Sequence, residues 1–228
     1  MDMPTAKRAV APDLPVLFYG GTGQAIVNRE ILELQGGTLA AVADDTPGLR
    51  SPFPDVPLLE GWDGFRRWRD GFAGPFGFSV CIGNPHGRVR LELARRLCEE
   101  GGIPLQLVHP SAVVARDCVL GEGCQIMAGA VIQPHVRIGA HGIVNTRAAI
   151  DHECVLEDAA EIGPGAVLCG RILVGAAAWV GAGATVMPRL RIGSDSIVGA
   201  GSLVRSDVRD GSVVVGVPAR ELRGKETT

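Results

Sequence analysis

Between Gln106 and Asp207 the sequence divides into seventeen consecutive sixes: QLVHPS AVVARD CVLGEG CQIMAG AVIQPH VRIGAH GIVNTR AAIDHE CVLEDA AEIGPG AVLCGR ILVGAA AWVGAG ATVMPR LRIGSD SIVGAG SLVRSD. The third residue of every six is aliphatic. Neither the 3.6-residue period of a helix nor the two-residue period of a strand requires this spacing. Hexapeptide repeats predict a parallel β-helix, in which each six forms one flat side of a triangular coil and points one aliphatic side chain inward.

The same register predicts the core and the stacking of the coils. Three sixes complete a turn, so residues eighteen apart should lie above one another, and seventeen sixes make nearly six turns. The predicted inward residues are Val108, Val114, Leu120, Ile126, Ile132, Ile138, Val144, Ile150, Leu156, Ile162, Leu168, Val174, Val180, Val186, Ile192, Val198 and Val204. Glycine follows an inward residue at seven positions, which we interpret as corners that need unusual φ values: Gly121, Gly139, Gly163, Gly175, Gly181, Gly193 and Gly199.

The segment before the repeats begins with a nucleotide-binding pattern. The apolar run PVLFY at 15–19 predicts a buried strand, GGTGQA at 20–25 a glycine-rich turn, and 26–35 a helix. Such a turn lets the backbone approach a phosphate at the helix N-terminus. A second predicted strand ends in Asp44 and Asp45, where an acidic residue commonly meets a ribose; a solvated strand end or a cap for the next turn is the alternative.

The rest of this segment predicts a small α/β unit with a parallel sheet. We expect a polar leader at 1–14, a proline-rich loop at 49–60, helices at 61–72 and 86–100, a third strand at 76–82 ended by Gly83-Asn84-Pro85, and a last strand at 105–109 leading into the coils. At 86–100, Val89, Leu93 and Leu97 repeat every four residues, which predicts the helix.

The chain therefore divides into a Rossmann-like domain at 1–104 and a β-helix domain at 105–228. Repeat arrays need covered ends. We expect the α/β unit to cover one end of the coils and the tail from Val208 to cover the other.

Composition excludes several classes of protein. The 228 residues are 46% hydrophobic but only 4% aromatic, 32 are glycine, and the net charge of -3 gives no bulk attraction to nucleic acid. The six cysteines show no CxxC spacing, which favours reduced packing residues in a cytosolic protein. The N-terminus lacks a signal-peptide pattern, and the longest uncharged run, between Arg171 and Arg189, is too short to span a membrane.

Several of these features occur together in one family. The hexapeptide register, YGGTGQA at 19–25, the Asp44–Asp45 pair and GVPAR at 216–220 resemble the bacterial nucleotide-sugar N-acetyltransferases of bacillosamine and perosamine pathways, and the related sialic acid O-acetyltransferases. The most specific segment is NTRAAIDHEC at 145–154. The resemblance covers nearly all of 15–222. It implies a left-handed β-helix, a cytoplasmic homotrimer, acetyl-CoA as co-substrate, a nucleotide-sugar substrate, no metal and no membrane insertion.

The resemblance also implies roles for particular residues. His152 would be the general base between two subunits, with Glu153 as its acidic neighbour. Asn145 is grouped with the substrate-binding residues, although satisfying its own turn is an equal alternative. The nucleotide-sugar would be held by Thr22, Gly23, Gln24, Asp44, Asp45 and Gly83. Acetyl-CoA would lie along the coils near Gly170, Gly181, Ala182 and Ala200.

One position departs from the family pattern. Some members have a second histidine nine residues after the base, in contact with the acetyl donor, whereas this chain has Glu161. A carboxylate donates no hydrogen bond to a thioester unless it is protonated, so Glu161 is left out of the catalytic set. Among the other histidines, His135 should stack next to Glu153, His141 is expected to be structural, and His86 is expected to start a helix.

The chemistry expected at His152 is base-assisted acyl transfer. Imidazole titrates near neutral pH and can take the proton of an attacking amine, which typically accelerates a reaction about a hundred- to ten-thousand-fold. Glu153 or Asp151 would stabilise the imidazolium, and backbone N–H groups at the Gly163 or Gly170 corner would bind the oxyanion. Cys154 is expected to point inward and not to act as a nucleophile, so acetyl should pass directly to the acceptor.

Three alternatives to this function remain. The acceptor could be a hydroxyl, as in sialic acid or another sugar. The coil could carry a zinc site of the carbonic anhydrase type, which would need three converging histidines. The protein could also be a non-catalytic scaffold that binds a nucleotide-sugar. We predict an acetyl-CoA-dependent N-acetyltransferase that acts on a nucleotide-linked 4-amino-4,6-dideoxy sugar. Which sugar and which base are bound stays open.

Overall fold

The computed structural model describes residues 10–11, 13–83 and 85–222. The predicted leader, Asn84 in the predicted turn and the end of the C-terminal tail lie wholly or partly outside these residues. No helix within the described ranges is long and apolar enough to cross a membrane.

The N-terminal unit is a parallel sheet with three helices. Its elements are β1 (Val16–Tyr19), α1 (Gly23–Leu34), β2 (Leu39–Asp44), β3 (Leu58–Glu60), α2 (Gly61–Arg69), β4 (Phe76–Val80), α3 (Gly87–Glu99) and β5 (Gly102–Pro104). The strand order is β3-β2-β1-β4-β5, with every neighbouring pair parallel. The chain reverses direction across the sheet between β1 and β4, which is where open α/β sheets bind ligands. The prediction of a Rossmann-like unit is confirmed.

Two details of this unit differ from expectation. The segment expected as one strand at 105–109 is divided: β5 completes the sheet before it, and Leu107–Val108 already forms the first coil strand. In α3, Val89 is 48% exposed, whereas Arg90 is fully buried beside Leu93 and Leu97. The four-residue apolar pattern that predicted this helix therefore includes one exposed residue in the first turn. Carbonyl groups outside the helix satisfy the Arg90 guanidinium and so permit its burial.

The repeats form a left-handed parallel β-helix, as predicted, with three flat sides that we number I, II and III. Side I contains Leu107–Val108, Gln125–Ile126, Ile143–Val144, Glu161–Ile162, Trp179–Val180, Ile197–Val198 and the tail strands Val213–Val215 and Arg220–Glu221. Side II contains Val113–Val114, Val131–Ile132, Ala149–Ile150, Val167–Leu168, Thr185–Val186 and Leu203–Val204. Side III contains Val119–Leu120, Arg137–Ile138, Val155–Leu156, Leu173–Val174 and Arg191–Ile192.

The eighteen-residue stacking rule is confirmed by the strand pairing. Ile143 pairs with Glu161, and Ala149 pairs with Val167. Of the seventeen predicted inward residues, sixteen are buried in one continuous core, and Val114 packs against it while half-buried. The core is continuous because every coil places its aliphatic side chain directly over that of the coil before it.

The seven glycines after inward residues were expected to need unusual φ values, and this explanation is wrong. None of them has a positive φ. Positive φ occurs two residues later in the six, at its last position, and nine corners place a non-glycine residue there, including His135, Arg147 and Glu153. The glycines are required by close approach instead. A Cβ on Gly163 would lie 2.7 Å from the backbone nitrogen of Ala182 in the next coil.

The α/β unit does not cover an end of the coils as expected. It packs against side I and the adjoining corner between sides III and I. Leu107 and Ile143 on side I share one apolar cluster with residues of the N-terminal sheet. Arg88 on α3 forms an ion pair at 2.7 Å with Asp195, near the far end of the coils. The outward apolar residues of side I explain this sideways docking, because only a covering domain removes them from water.

The tail does cover the last coil. Leu203 and Gly216 are joined by a backbone hydrogen bond of 3.0 Å, and Ala219 donates to Leu203 at 2.8 Å. Val208 and Val214 extend the core under the final coil.

A pair of glycine substitutions tests the close-approach explanation. Gly163→Ala should lower the free energy of unfolding by about 1–3 kcal/mol, because the new methyl group must separate two coils. Gly165→Asn should change it by about 0.5 kcal/mol or less, since Gly165 has a φ of +65° with open space around it and asparagine tolerates this conformation. Urea denaturation of both variants provides the measurement. Equal losses would contradict the explanation.

Candidate active site

A cleft of about 610 Å³ opens at the carboxyl ends of β1, β2 and β4, beside the N-terminus of α1. Six residues predicted to hold a nucleotide-sugar line it together: Thr22, Gly23, Gln24, Asp44, Asp45 and Gly83. Tyr19, Thr46 and His86 also line it, and the sequence reasoning did not include them in the substrate site. His86 immediately precedes α3, as expected for a helix-start residue.

The two aspartates order the rim of the cleft. Asp44 accepts hydrogen bonds from the backbone N–H of Gly21 at 2.6 Å and of Thr46 at 2.8 Å. Asp45 accepts from the Tyr19 hydroxyl at 2.7 Å. Burial, together with that hydrogen bond, raises the pKa of Tyr19, so its hydroxyl stays a donor. Asp44 therefore caps the glycine turn. It also lies in the wall of the cleft, and its contact with a ribose stays a prediction.

A buried amide network connects the cleft to side I. Gln24 Nε2 donates to Gln125 Oε1 at 2.7 Å, and Asn28 Nδ2 donates to the same oxygen at 2.8 Å. Gln125 in turn donates to the carbonyl of Val80 at the end of β4 at 2.8 Å. The first coils and the wall of the cleft are thereby held in one position relative to each other.

His152 lies elsewhere, at the corner between sides II and III. Its side chain is 50% exposed, and Nδ1 is 2.9 Å from Glu153 Oε2. Arg171, one coil further on, donates from Nε to the same Glu153 oxygen at 2.8 Å. The Arg171 hydrogen bond and that of His152 lower the pKa of Glu153, so this carboxylate is charged at neutral pH. Glu153 can therefore fix the Nδ1 proton of His152 and leave Nε2 as an acceptor.

Gly170 makes room for the His152 ring. A Cβ on Gly170 would lie 2.9 Å from His152 Nε2, and Gly170 has a φ of +57°. Cys154 beneath this corner is buried, and burial raises its pKa to about 11. A thiol with that pKa is protonated at neutral pH and is a poor nucleophile.

The residues predicted to bind acetyl-CoA fall at two corners. Gly181, Ala182 and Ala200 stack in successive coils between sides I and II, where a Cβ on Gly181 would lie 2.7 Å from the Ala200 nitrogen. Gly170 lies at the other corner, beside His152. Within one chain, Gly181, Ala182 and Ala200 therefore lie together, whereas Gly170 lies at the opposite end of side II.

Asn145 occupies the same corner as Gly181, in an earlier coil. Its Nδ2 donates to Glu161 Oε1 at 3.1 Å and to the carbonyl of Ile162 at 3.2 Å. Glu161 is on a flat side, as its register predicted, and is only 4% exposed. Arg90 from α3 reaches it with Nη1 at 3.5 Å from Oε2. Sequence reasoning missed Arg90, although an arginine flanked by apolar positions of an amphipathic helix could have signalled a buried partner.

The other coil histidines behave structurally. His141 is buried, its ring lies parallel to Phe78 with centroids 6.4 Å apart, and burial lowers its pKa to about 4, so it is neutral at pH 7. His135 is exposed, with Nδ1 2.6 Å from Asp117. Within 10–11, 13–83 and 85–222, no three His, Cys, Asp or Glu side chains converge in a group that could hold a metal ion.

The cleft and His152 face different directions in one chain. The cleft adjoins side I, and α3 begins so near the III–I corner that a Cβ on Gly87 would lie 2.8 Å from Ala177. His152 is at the II–III corner, which side I does not touch. The catalytic base and the nucleotide-binding residues expected from the sequence are therefore not assembled by a single chain.

Comparison with known proteins identifies the family to which the chain belongs. No family model matches the chain. It is 36% identical over 127 residues to the UDP-N-acetylbacillosamine N-acetyltransferase of Bacillus subtilis (strain 168), a match that covers 50% of the chain and 51% of that relative's length. A histidine-to-alanine variant of GDP-perosamine N-acetyltransferase from Caulobacter crescentus, in complex with CoA and GDP-perosamine, superposes with a TM-score of 0.85 at 36% identity, over 92% of this chain and 97% of that one.

A third relative has the same architecture at lower identity. The acetyltransferase domain of PglB from Neisseria gonorrhoeae FA1090, in complex with acetyl coenzyme A, gives a TM-score of 0.80 at 27% identity and covers 91% of this chain and 98% of that one. The fold and these relatives thus define a hexapeptide-repeat acyltransferase. Within that class, the chain belongs to the nucleotide-sugar N-acetyltransferases of the bacillosamine and perosamine type.

The space over Gly170 gives a test of how His152 is held. Because the sequence predicts His152 to be the general base, Gly170→Ala should push the imidazole aside and reduce acetyl transfer by at least about tenfold, since a small misplacement of such a group is costly. Gly211→Ala is the matched control: Gly211 also has a positive φ but has nothing within 4 Å of its Cβ position. Both variants should lose about 1–2 kcal/mol of stability from backbone strain. Full activity of Gly170→Ala would contradict the proposed contact.

Proposed function

We propose that the protein transfers an acetyl group from acetyl-CoA to the amino group of a nucleotide-linked 4-amino-4,6-dideoxy sugar. The observation that carries this proposal is the cleft at the β1/β4 switch point, lined by all six residues expected around the nucleotide-sugar cleft. Support comes from the similarity over 97% of the length of a structure that contains CoA and GDP-perosamine. The base and the sugar of this chain's own substrate stay open.

Different parts of the cleft suit different parts of a nucleotide-sugar. The diphosphate would lie at the N-terminus of α1, where Thr22, Gly23 and Gln24 line the cleft and backbone N–H groups point outward. The nucleoside would lie toward Asp44 and Asp45. The sugar would extend toward Gly83, where the cleft meets the coils.

His152 would act as the general base. The amine nitrogen attacks the thioester carbonyl carbon, one amine proton passes to His152 Nε2, and the C–S bond breaks to release CoA. Glu153 holds the Nδ1 proton and stabilises the imidazolium that forms. No covalent enzyme intermediate is needed, in agreement with the buried, protonated thiol of Cys154.

We infer that the working enzyme is a homotrimer in the cytoplasm, where its activated substrates would be available. The separation of the cleft from His152 supports sites that combine the cleft of one chain with the base of a neighbour. Side II supplies an apolar surface for such contact, with Val113 62% and Val167 37% exposed. Its outward residues are Val113, Val131, Ala149, Val167, Thr185 and Leu203.

A thiol-release assay tests the reaction. Purified protein should release CoA from acetyl-CoA with a UDP-, GDP- or dTDP-linked 4-amino sugar, and His152→Ala should reduce the rate by about a hundredfold or more because the base is lost. Turnover with sialic acid alone would indicate an O-acetyltransferase. Stoichiometric zinc in the purified protein would favour the hydro-lyase alternative, and unchanged activity of His152→Ala would exclude the proposed base.

Subunit complementation tests the shared site. Gly23→Asp should place a negative charge against the diphosphate without a steric clash, since nothing lies within 4 Å of a Cβ at Gly23. Neither Gly23→Asp nor His152→Ala should be active alone. Co-expressed in equal amounts, they should recover about a quarter of wild-type activity, because randomly mixed trimers contain that fraction of intact cleft–base pairs. A mixture as inactive as its parents would contradict a site between chains.

A further inference from the structure

The most unusual buried group in the molecule is the guanidinium of Arg90. It is fully buried and donates to the carbonyls of Ile82 at 2.6 Å, Ala159 at 2.8 Å and His141 at 2.9 Å. Its charge faces Glu161, which is 4% exposed, across 3.5 Å. A buried pair of this kind is a poor source of stability, because removing two charges from water costs as much as their attraction returns. Stability alone therefore does not account for this pair.

Glu161 has a second neighbour, Asn145. Glu161 Oε1 and the Ile162 carbonyl accept the two N–H bonds of the Asn145 amide. The Ile162 carbonyl can only accept, and Glu161 Oε1 accepts from Asn145 while the same carboxyl group faces the Arg90 guanidinium. The Asn145 amide is consequently held in one orientation. Its Oδ1 accepts no hydrogen bond from the described residues and remains available to a donor.

This cluster borders the nucleotide-sugar cleft. A Cβ on Gly83, which lines the cleft, would lie 3.6 Å from Glu161 Oε1. Ile82, whose carbonyl receives the shortest Arg90 hydrogen bond, lines the same cleft. Arg90, Glu161 and Asn145 therefore lie at the end of the cleft that meets the coils, where the acceptor end of the sugar is expected.

We propose that Arg90 and Glu161 are positioning residues that hold the Asn145 carbonyl oxygen as a hydrogen-bond acceptor for the attacking amine, and that this selects amines over hydroxyls. An amine has two N–H bonds: one proton goes to His152 and the other is donated to Asn145 Oδ1, while the lone pair attacks the thioester. A hydroxyl has a single proton, which the base requires. It would leave Asn145 Oδ1 without a partner in the transition state, which costs rate.

This inference rests on the proposed acetyl transfer, and its test is selectivity. The preferred 4-amino nucleotide-sugar from the UDP-, GDP- and dTDP-linked panel is compared with its 4-hydroxy counterpart, by kcat/KM in the wild type and in Glu161→Gln. Glutamine removes the charge that faces Arg90 and can donate as well as accept, so only the Ile162 carbonyl still fixes the Asn145 amide. We expect the preference for the amine to fall about tenfold to a hundredfold, with the KM for acetyl-CoA unchanged. Glu99→Gln, on the exposed face of α3, is the matched control and should keep the wild-type preference.

A second pair of variants separates positioning from folding. Asn145→Ala removes the acceptor at a half-buried corner and should lower the amine preference as much as Glu161→Gln does. The double variant should lose no more than Asn145→Ala alone, because Glu161 acts through Asn145. Additive losses would show a merely structural role for Glu161 and overturn the proposal. If Glu161→Gln fails to fold, Arg90→Lys, which keeps the charge but not the planar fork, should show the same loss of preference.

Calorimetry makes the inference independent of turnover. Without acetyl-CoA, Asn145→Ala and Glu161→Gln should each weaken binding of the 4-amino sugar, because both disturb the ordered acceptor, whereas Glu99→Gln should not. Equal Kd values of the wild type and Glu161→Gln for this sugar would overturn the inference even if acetyl transfer is observed. If no substrate of the panel is acetylated, the proposed function fails, and the binding comparison still decides the role of Glu161.

Discussion

Every other feature of this molecule depends on the pairing of each coil with the coil eighteen residues later. The backbones approach so closely that glycine is required after several inward residues, because a Cβ on Gly163 or Gly181 would meet backbone atoms of the next coil within 2.7 Å. Parallel pairing on three sides then satisfies the backbone, and the inward aliphatic residues stack into one core. The result is a rigid prism whose corners can carry functional side chains at fixed heights.

The docked α/β unit makes the three sides of the β-helix different from one another. Side I is covered by the α/β unit through apolar contacts, the Gln24–Gln125 hydrogen bond and the buried Arg90. Once side I is covered, the cleft can open only next to it, whereas the II–III corner with His152 remains exposed. The same docking that fixes the cleft against the coils therefore separates it from His152, the proposed base, in its own chain. The proposed shared site between chains reconciles the two positions.

The proposed site contains two ion pairs that differ in their exposure to solvent. Around His152, the Arg171–Glu153 pair is exposed in the single chain, so it is screened by water and gains strength only where a neighbouring chain excludes solvent. The Arg90–Glu161 pair is buried within the chain, and its geometry is fixed by three backbone carbonyls before any substrate arrives. In the proposed trimer, a neighbouring chain would strengthen the first pair, whereas the second is already organised within one chain.

The period of six determined the coil architecture, the inward residues and the stacking of His135 by Glu153, because a repeating backbone leaves each position little choice. The glycine-rich turn and the acidic strand end likewise indicated the cleft residues, since these are local consequences of a strand, a turn and a helix. Local patterns could not show that Val89 is exposed and Arg90 buried, or that the α/β unit lies along a side of the coils. Those features, like the Arg90–Glu161–Asn145 cluster, depend on partners 16 to 107 residues apart in the chain, and only the packing of the two parts brings them into contact.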